Sequence, residues 1–327
     1  MIDKPFTSSP FILGLQALIA RLHPTHPQFE RLQKELKIKE AGDFGERYIM
    51  QELQKFSTLH DFHVLHNVIL PTALPMQIDI LVITPNGVIL LEIKNIRGQV
   101  RFKNNPRQVI RTTEKGDTAV FTHPEVQLEQ YILAMQQFLD AHHISMPIYG
   151  AIVFPFNNVT IHREGEGLPI LMAKELPLYF HKLSVGRYQQ SVNDITHMIL
   201  SHIRDRAPFP LCEYYDIEVA NLQKGIYCEN CGQYGMQKLK RGWICTRCQY
   251  VCSHAHVRAL RDYYMLVGDT ITNKDCRYFL NIDSQDVAKR ILQKSCVTRS
   301  GSGKYTQYNL SGLYRKCEDS RWPPENR

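Results

Sequence analysis

Apolar residues recur at helical spacing between about Lys39 and Phe56. In AGDFGERYIMQEL, residues Phe44, Tyr48, Ile49 and Leu53 share one face, which predicts a helix with Glu46 near its start. The pattern then shortens to three runs rich in β-branched residues: HVLHNVIL (63–70), QIDILVI (77–83) and GVILLEIKNI (87–96). These predict strands, separated by Pro71, Pro75 and the cluster Thr84-Pro85-Asn86-Gly87. The last reads as a tight turn joining adjacent antiparallel strands. GQVRF and RQVIRT predict a further hairpin around Asn104-Asn105-Pro106, ahead of a helix from about 123 to 141 and a strand, IYGAIVF, at 148–154. The expected fold is a compact α/β core in the order helix, three strands, helix, strand. Its Glu92 strand is central because it is apolar on both faces apart from its charges.

Outside the core, FILGLQALIA (11–20) predicts a packed helix, too short to span a bilayer and without the marks of a cleaved leader. A helical region over 184–204 precedes RAPFPLCEYYD, whose prolines mark a linker. From about Val257, two helical runs lead to DSQDVAKRILQK (283–294), with an Asp or Ser cap and an apolar face of Val287, Ala288, Ile291 and Leu292. CVTRSGSGKYTQYNL then predicts a hairpin with a Gly-Ser tip. The expected segments are a helical extension (1–38), the core (39–155), a helical extension and linker (156–210), a cysteine-bearing ribbon (211–255) and a C-terminal module (256–327).

Charge sharpens this division. The formal net charge is +7, yet from Asn221 onward there are 18 Lys+Arg against 9 Asp+Glu, leaving 21 against 23 before it. The C-terminal third carries the whole excess, which points to a polyanion, nucleic acid before membrane, unless it is simply a solvated basic surface. Nine cysteines, an odd and clustered set, do not form a secreted disulfide framework, so a reducing, cytoplasmic setting is expected.

Asp79, Glu92 and Lys94 interrupt apolar runs, where a charge costs several kcal/mol unless it is paired or binds a metal. Strand alternation puts Glu92 and Lys94 on one face, and the Thr84 to Gly87 turn can set Asp79 beside Glu92 there. Two adjacent carboxylates repel unless a cation lies between them. A hard divalent ion such as Mg²⁺ fits, and it can activate water for in-line displacement at a phosphate. Lys94 would orient or help deprotonate that water, or offset charge in the transition state. The alternative is an edge strand whose Glu and Lys lie in solvent.

Cys228 and Cys231, then Cys245 and Cys248, form two CxxC pairs thirteen residues apart, the spacing of a closed, structural four-cysteine zinc ribbon. Lys238, Lys240, Arg241, Arg247 and Trp243 decorate it, a mix suited to phosphate contact and base stacking. Trp243 can equally pack the small ribbon core. Cys252, His254 and His256 lie close enough to compete as ligands, although a four-cysteine set needs none of them.

GERYI (45–49), QIDILVITPNGVILLEIKN (77–95) and HPEVQLEQY (123–131) carry a family resemblance. Residues from about 40 to 155 resemble the nuclease-related domain (NERD) family, within the PD-(D/E)xK phosphodiesterase superfamily. The resemblance implies a restriction-endonuclease-like core that hydrolyses phosphodiester bonds in DNA, in DNA processing or repair. It implies that Glu46 joins Asp79 and Glu92 around Mg²⁺ or Mn²⁺, with Lys94 as the catalytic lysine. Gln127 looks like the glutamine that related nucleases place on the following helix to position the phosphate or the lysine, with Tyr131 one turn later. Ile78 stands where the superfamily's name puts a proline.

Three helices and a hairpin after the ribbon resemble a winged helix-turn-helix. That implies DNA contact by Gln285, Lys289, Arg290 and Gln293 in a groove, with Arg299 and Lys304 on the wing near phosphate. The alternatives are a non-cleaving DNA-binding or regulatory protein and a ribonuclease. Nothing in the sequence reads a 2′-hydroxyl, so DNA is favoured through the winged-helix resemblance.

Overall fold

The computed structural model describes residues 1–56, 62–72, 76–183, 191–204, 209–295 and 298–313. The chain begins with β1 (Ile2–Lys4), α1 (Pro10–Arg21) and α2 (Phe29–Phe56), followed by β2 (His63–Leu70), β3 (Met76–Thr84) and β4 (Gly87–Ile93). Two compact units result. One comprises Met1–Ser8 and Ile38–Arg206, the other Ser9–Lys37 and Ala207–Arg327. The N-terminal segment is therefore shared between them, and α2, which starts ten residues ahead of the expected helix, contributes to both.

In the first unit, β2, β3 and β4 form an antiparallel meander. All seven residues of β4 are buried, as a strand apolar on both faces requires. The Thr84 to Gly87 turn is built as expected: Thr84 Oγ1 donates to Gly87 O and accepts from Asn86 N–H, each at 3.1 Å. Gly87 has φ of 151°, and a Cβ there would lie 2.6 Å from Pro147 O. Only glycine fits both the backbone and the space.

After β4 come β5 (Gly98–Asn104), β6 (Arg107–Thr112), β7 (Thr118–Thr122), α3 (Pro124–Ala141) and β8 (Ile148–Phe154). β8 pairs parallel to β4, which needs a long crossover, and β5 to β7 with α3 supply it. β9 (Val159–Arg163), β10 (Ile170–Met172), α4 (Leu176–Lys182) and α5 (Val192–His202) complete the unit. The main sheet has the order β1-β2-β3-β4-β8-β10, and a second sheet has the order β7-β6-β5-β9. The Glu92 strand is internal, as expected.

One face of the main sheet, with Ile80, Val82, Ile89 and Leu91, packs with Ile49, Met50 and Leu53 of α2. The other, with Leu81, Ile83, Val88 and Leu90, packs with α3 and with Val100, Phe102 and Val109 of the second sheet. Each such side chain, fully buried, contributes about 1.5–3 kcal/mol. Strand β4 ends at Ile93, three residues short of the expected 96. Strands β1, β7, β9 and β10 are additions that the sequence pattern does not predict. The helix expected over 184–204 is α5, and 184–190 lie outside the described residues.

The second unit contains α1, α6 (Leu211–Tyr214), β11 (Gln237–Lys238), β12 (Trp243–Ile244) and β13 (Val251–Cys252). There follow α7 (Ala255–Leu266), β14 (Thr270–Thr272), α8 (Asn273–Leu280), α9 (Gln285–Ser295), β15 (Thr298–Ser300) and β16 (Gln307–Asn309). Two three-stranded sheets form, β11-β12-β13 and β14-β16-β15. Just after the linker prolines, Leu211 and Cys212 of α6 are buried with Leu15 and Leu18 of α1 and with Leu260 and Leu266 of α7. Arg21, fully buried, spans this core by pairing with Asp262 at 2.8 Å and donating to Gln223 O at 2.9 Å. Thr272 and Asp275 form a capping box on α8, and Ser284 Oγ accepts from Val287 N–H at the start of α9. No helix among the described residues is long and apolar enough to cross a membrane.

Candidate active site and cysteine cluster

The β3–β4 ladder runs from the turn to Ile80↔Leu91, and one further step of that register sets Asp79 opposite Glu92. There the backbone pairing stops, and the Asp79 side chain takes the next donor: Ile93 N–H donates to its Oδ2 at 2.8 Å. Glu92 is 3% exposed, and Lys94 Nζ donates to its Oε1 at 2.5 Å. Lys94 also continues the ladder, its N–H bonding Val153 O at 2.9 Å. An internal strand therefore delivers a buried acid and a lysine whose side chain is 29% exposed.

Glu46 reaches this end of the sheet because Gly45 lets α2 come close. A Cβ on Gly45 would lie 2.9 Å from Asn95 Cβ and 3.2 Å from Pro155 Cγ. Asn95 Nδ2 ties the same contact by donating to Ala41 O at 2.7 Å. Glu46 Oε2 then meets His66 Nε2 at 2.8 Å. On α3, Gln127 Nε2 donates to Tyr131 Oη at 3.0 Å. The first turn of that helix is pinned by buried Glu125, which pairs with Arg163 Nη2 at 2.6 Å. Gly167 passes directly over the pair, where a Cβ would fall 2.4 Å from Glu125 Oε2.

Burial, and then the charges of Glu92 and Glu46, push the Asp79 carboxyl well above its usual range against the pull of Lys94 and the Ile93 N–H. Burial by itself would lower the Lys94 ammonium, but Glu92 and Asp79 outweigh it and raise it, with Tyr131 adding to their effect. Three acids thus stand against one ammonium. Each acid has one oxygen bonded within the chain, and among the described residues its second oxygen takes no hydrogen bond.

Among the described residues, the four cysteines, with sulfurs all within 4.8 Å of one another, are the one group gathered closely enough to share a metal ion as the side chains stand, and the three acids do not form such a group. A cavity of about 100 Å³ opens beside Lys94, lined by Ile96, Phe102, Phe121, Pro124 and Phe154. His66 and the Glu125–Arg163 pair are not singled out by the sequence motifs. His66 does leave a signal there, since it interrupts the apolar run of β2 just as Asp79 interrupts β3.

In the second unit, Cys228 and Cys248 sulfurs are 3.7 Å apart and those of Cys231 and Cys245 are 3.5 Å apart. A disulfide is about 2.05 Å, so these are not bonded pairs. Four sulfurs at about 2.3 Å from a tetrahedral centre stand about 3.8 Å from one another, so the spacing fits zinc. Asn230 Nδ2 donates to Cys248 Sγ at 3.4 Å and, with the Tyr250 N–H, lowers that thiol to about 6. Burial instead raises Cys228 to about 12.

Of the two roles open to Trp243, the structure takes packing: it is 2% exposed, and its Nε1 donates to His256 Nδ1 at 3.0 Å. Lys238, Lys240, Arg241 and Arg247 all lie exposed on the ribbon. Gln285, Lys289, Arg290 and Gln293 are exposed on α9, and Arg299 is exposed on β15. The Lys304 backbone forms part of a 3-10 turn, and its side chain lies outside the described set. No curated protein and no solved structure matches the chain. Residues 41–155, which hold Glu46, Asp79, Glu92, Lys94 and Gln127, match the family model of the nuclease-related domain (NERD).

Proposed function

We propose that the first unit is a metal-dependent nuclease that hydrolyses phosphodiester bonds in DNA, and that the second delivers it to nucleic acid. One observation carries the reading. Among the described residues, Asp79, Glu92 and Glu46 each keep one oxygen outside the chain's own hydrogen bonds, at the end of a buried sheet, within the residues that match a nuclease-related family. Hard divalent cations take oxygen donors of this kind, with water and phosphate completing the shell. Asp79 and Glu92 would hold Mg²⁺ or Mn²⁺ through these oxygens, with Glu46 completing the set. Such an ion polarises a phosphate and lowers the pKa of a bound water.

The chain's own groups do the rest. Lys94, whose ammonium is raised by its acidic neighbours, would offset negative charge developing on the phosphate. Gln127, fixed through Tyr131 and by the anchored first turn of α3, positions the phosphate beside Lys94. Beside the apolar cavity at Lys94, the exposed Phe121 would offer surface for the sugar or base next to that phosphate.

The four cysteines would hold a structural zinc that ties β11 to β13 together. The order α7, β14, α8, α9, β15, β16 supports a winged helix-turn-helix reading, in which the exposed residues of α9 would face a groove and Arg299 and Lys304 would lie near phosphate. Partial burial, and then Arg290 and Lys294, lower the Lys238 ammonium, a crowding of cations that a phosphate relieves.

The test is a panel of linear, circular, single-stranded and branched DNA plus RNA, incubated with Mg²⁺ or Mn²⁺ and with EDTA. Wild type should cut DNA with metal only, and Lys94→Ala and Glu92→Ala, with circular dichroism unchanged, should not. No cutting of any substrate, or cutting that survives both substitutions, refutes the reading.

A further inference from the structure

His66 lies in the middle of an apolar strand and is 1% exposed, so both ring nitrogens need partners from the chain. Nε2 stands 2.8 Å from Glu46 Oε2. Nδ1 faces the backbone N–H of Thr7 at 3.5 Å, a long contact, and the Phe6 ring packs on the imidazole at 4.7 Å and 49°. An N–H can only donate, so Nδ1 is the acceptor and the ring proton of a neutral imidazole sits on Nε2, aimed at Glu46.

The segment that supplies Thr7 is firmly held. β1 pairs parallel with β2, Asp3 bonds His63 at 2.8 Å, Lys4 Nζ donates to Asn67 O, and Ser8 Oγ donates to Asp43 on α2. The first eight residues therefore tie β2 to the helix that carries Glu46.

We propose that His66 is a positioning residue for Glu46, and that the segment 1–8 sets its tautomer. The Nε2–H claims Glu46 Oε2, which selects Oε1 as the oxygen presented to the cation. This rests on the reading of Asp79, Glu92 and Glu46 as a metal site, and adds to it a group outside the recognised motif. It also means that residues 41–155, although they contain every proposed catalytic group, are incomplete without a strand that precedes them by more than thirty residues.

The test uses the full chain with His66→Gln, His66→Asn and His66→Phe. A Gln amide places its N–H near the position of Nε2, whereas Asn places it near Nδ1 and Phe has none. Mn²⁺ binding is read by electron paramagnetic resonance, the metal requirement by the Mn²⁺ concentration that gives half-maximal cleavage, and folding by thermal melting. His66→Gln should stay within about threefold of wild type. His66→Asn and His66→Phe should need roughly 10- to 100-fold more Mn²⁺, the usual effect of removing a partner behind a ligand, with KM for DNA unchanged. Long-range ¹H–¹⁵N spectra of the metal-free protein should show the His66 proton on Nε2.

Asn performing as well as Gln, or a ring proton on Nδ1, overturns the proposal while leaving the metal site standing. If His66→Phe does not fold, the Gln and Asn pair decides. A wild type that neither binds Mn²⁺ nor cuts DNA overturns both readings together.

Discussion

Replacing Asp79 with Asn removes one of three neighbouring acids and keeps its hydrogen bond, because the Asn oxygen can still accept from Ile93 N–H. In metal-free protein the wild-type carboxylate is strained by burial and by Glu92 and Glu46. Relieving a poorly compensated buried polar group is worth on the order of 1–3 kcal/mol. At roughly 2–4 °C per kcal/mol for a unit of this size, the variant should melt measurably higher in EDTA at pH 7.

The sign with pH follows from linkage. The folded carboxyl holds its proton above the ordinary value of 3.8, whereas the unfolded chain releases it there. Asp79's contribution to folding is complete below 3.8 and is lost as pH rises through the folded value. The gap in favour of the Asp79→Asn variant should therefore open from about pH 4 upward and stop widening once the folded carboxyl ionises.

Adding Mn²⁺ should reverse the order. Saturation to about 100 times the dissociation constant stabilises wild type by about 2.7 kcal/mol, and the variant loses most of that. Melting curves in EDTA and in Mn²⁺ over roughly pH 4–8 make the comparison. An Asp79→Asn protein that melts at or below wild type in EDTA at pH 7 refutes the reasoning, because the acids would then not be in electrostatic conflict.

Cys248→Ser should lower zinc content from about one per chain to near background by mass spectrometry, in protein never exposed to chelator; unchanged content would remove the zinc site. Lys289→Gln with Arg290→Gln should weaken DNA binding across all sequences and reduce the slope of log K against log salt by about two. An unchanged slope would show that α9 does not meet phosphate. These substitutions are cleaner than truncation after Pro210, which would strip α1 of the core it shares with α6 and α7.

Local chemistry alone specified much of this protein. The Thr84 to Gly87 turn, the strand runs around it, the helix of Gln127, the spacing of Cys228, Cys231, Cys245 and Cys248, and the cap and apolar face of α9 are all written in neighbouring residues. Turn geometry, side-chain period and ligand spacing act over a few positions. That same turn made the meeting of Asp79 and Glu92 legible, since register in a tight hairpin follows from its loop.

Tertiary structure decided what depends on distant partners. β1, β9 and β10 are three to five residues long and pair in parallel with partners remote in sequence, too short for a period to show. β7 has no buried face, so it carries no alternation to read. The placing of α1 and 29–37 in the second unit, the burial of Trp243 against His256 and the hold of His66 on Glu46 likewise come from packing across long stretches of chain. A buried polar group declares in the sequence that it needs a partner; only the folded chain says which one it finds.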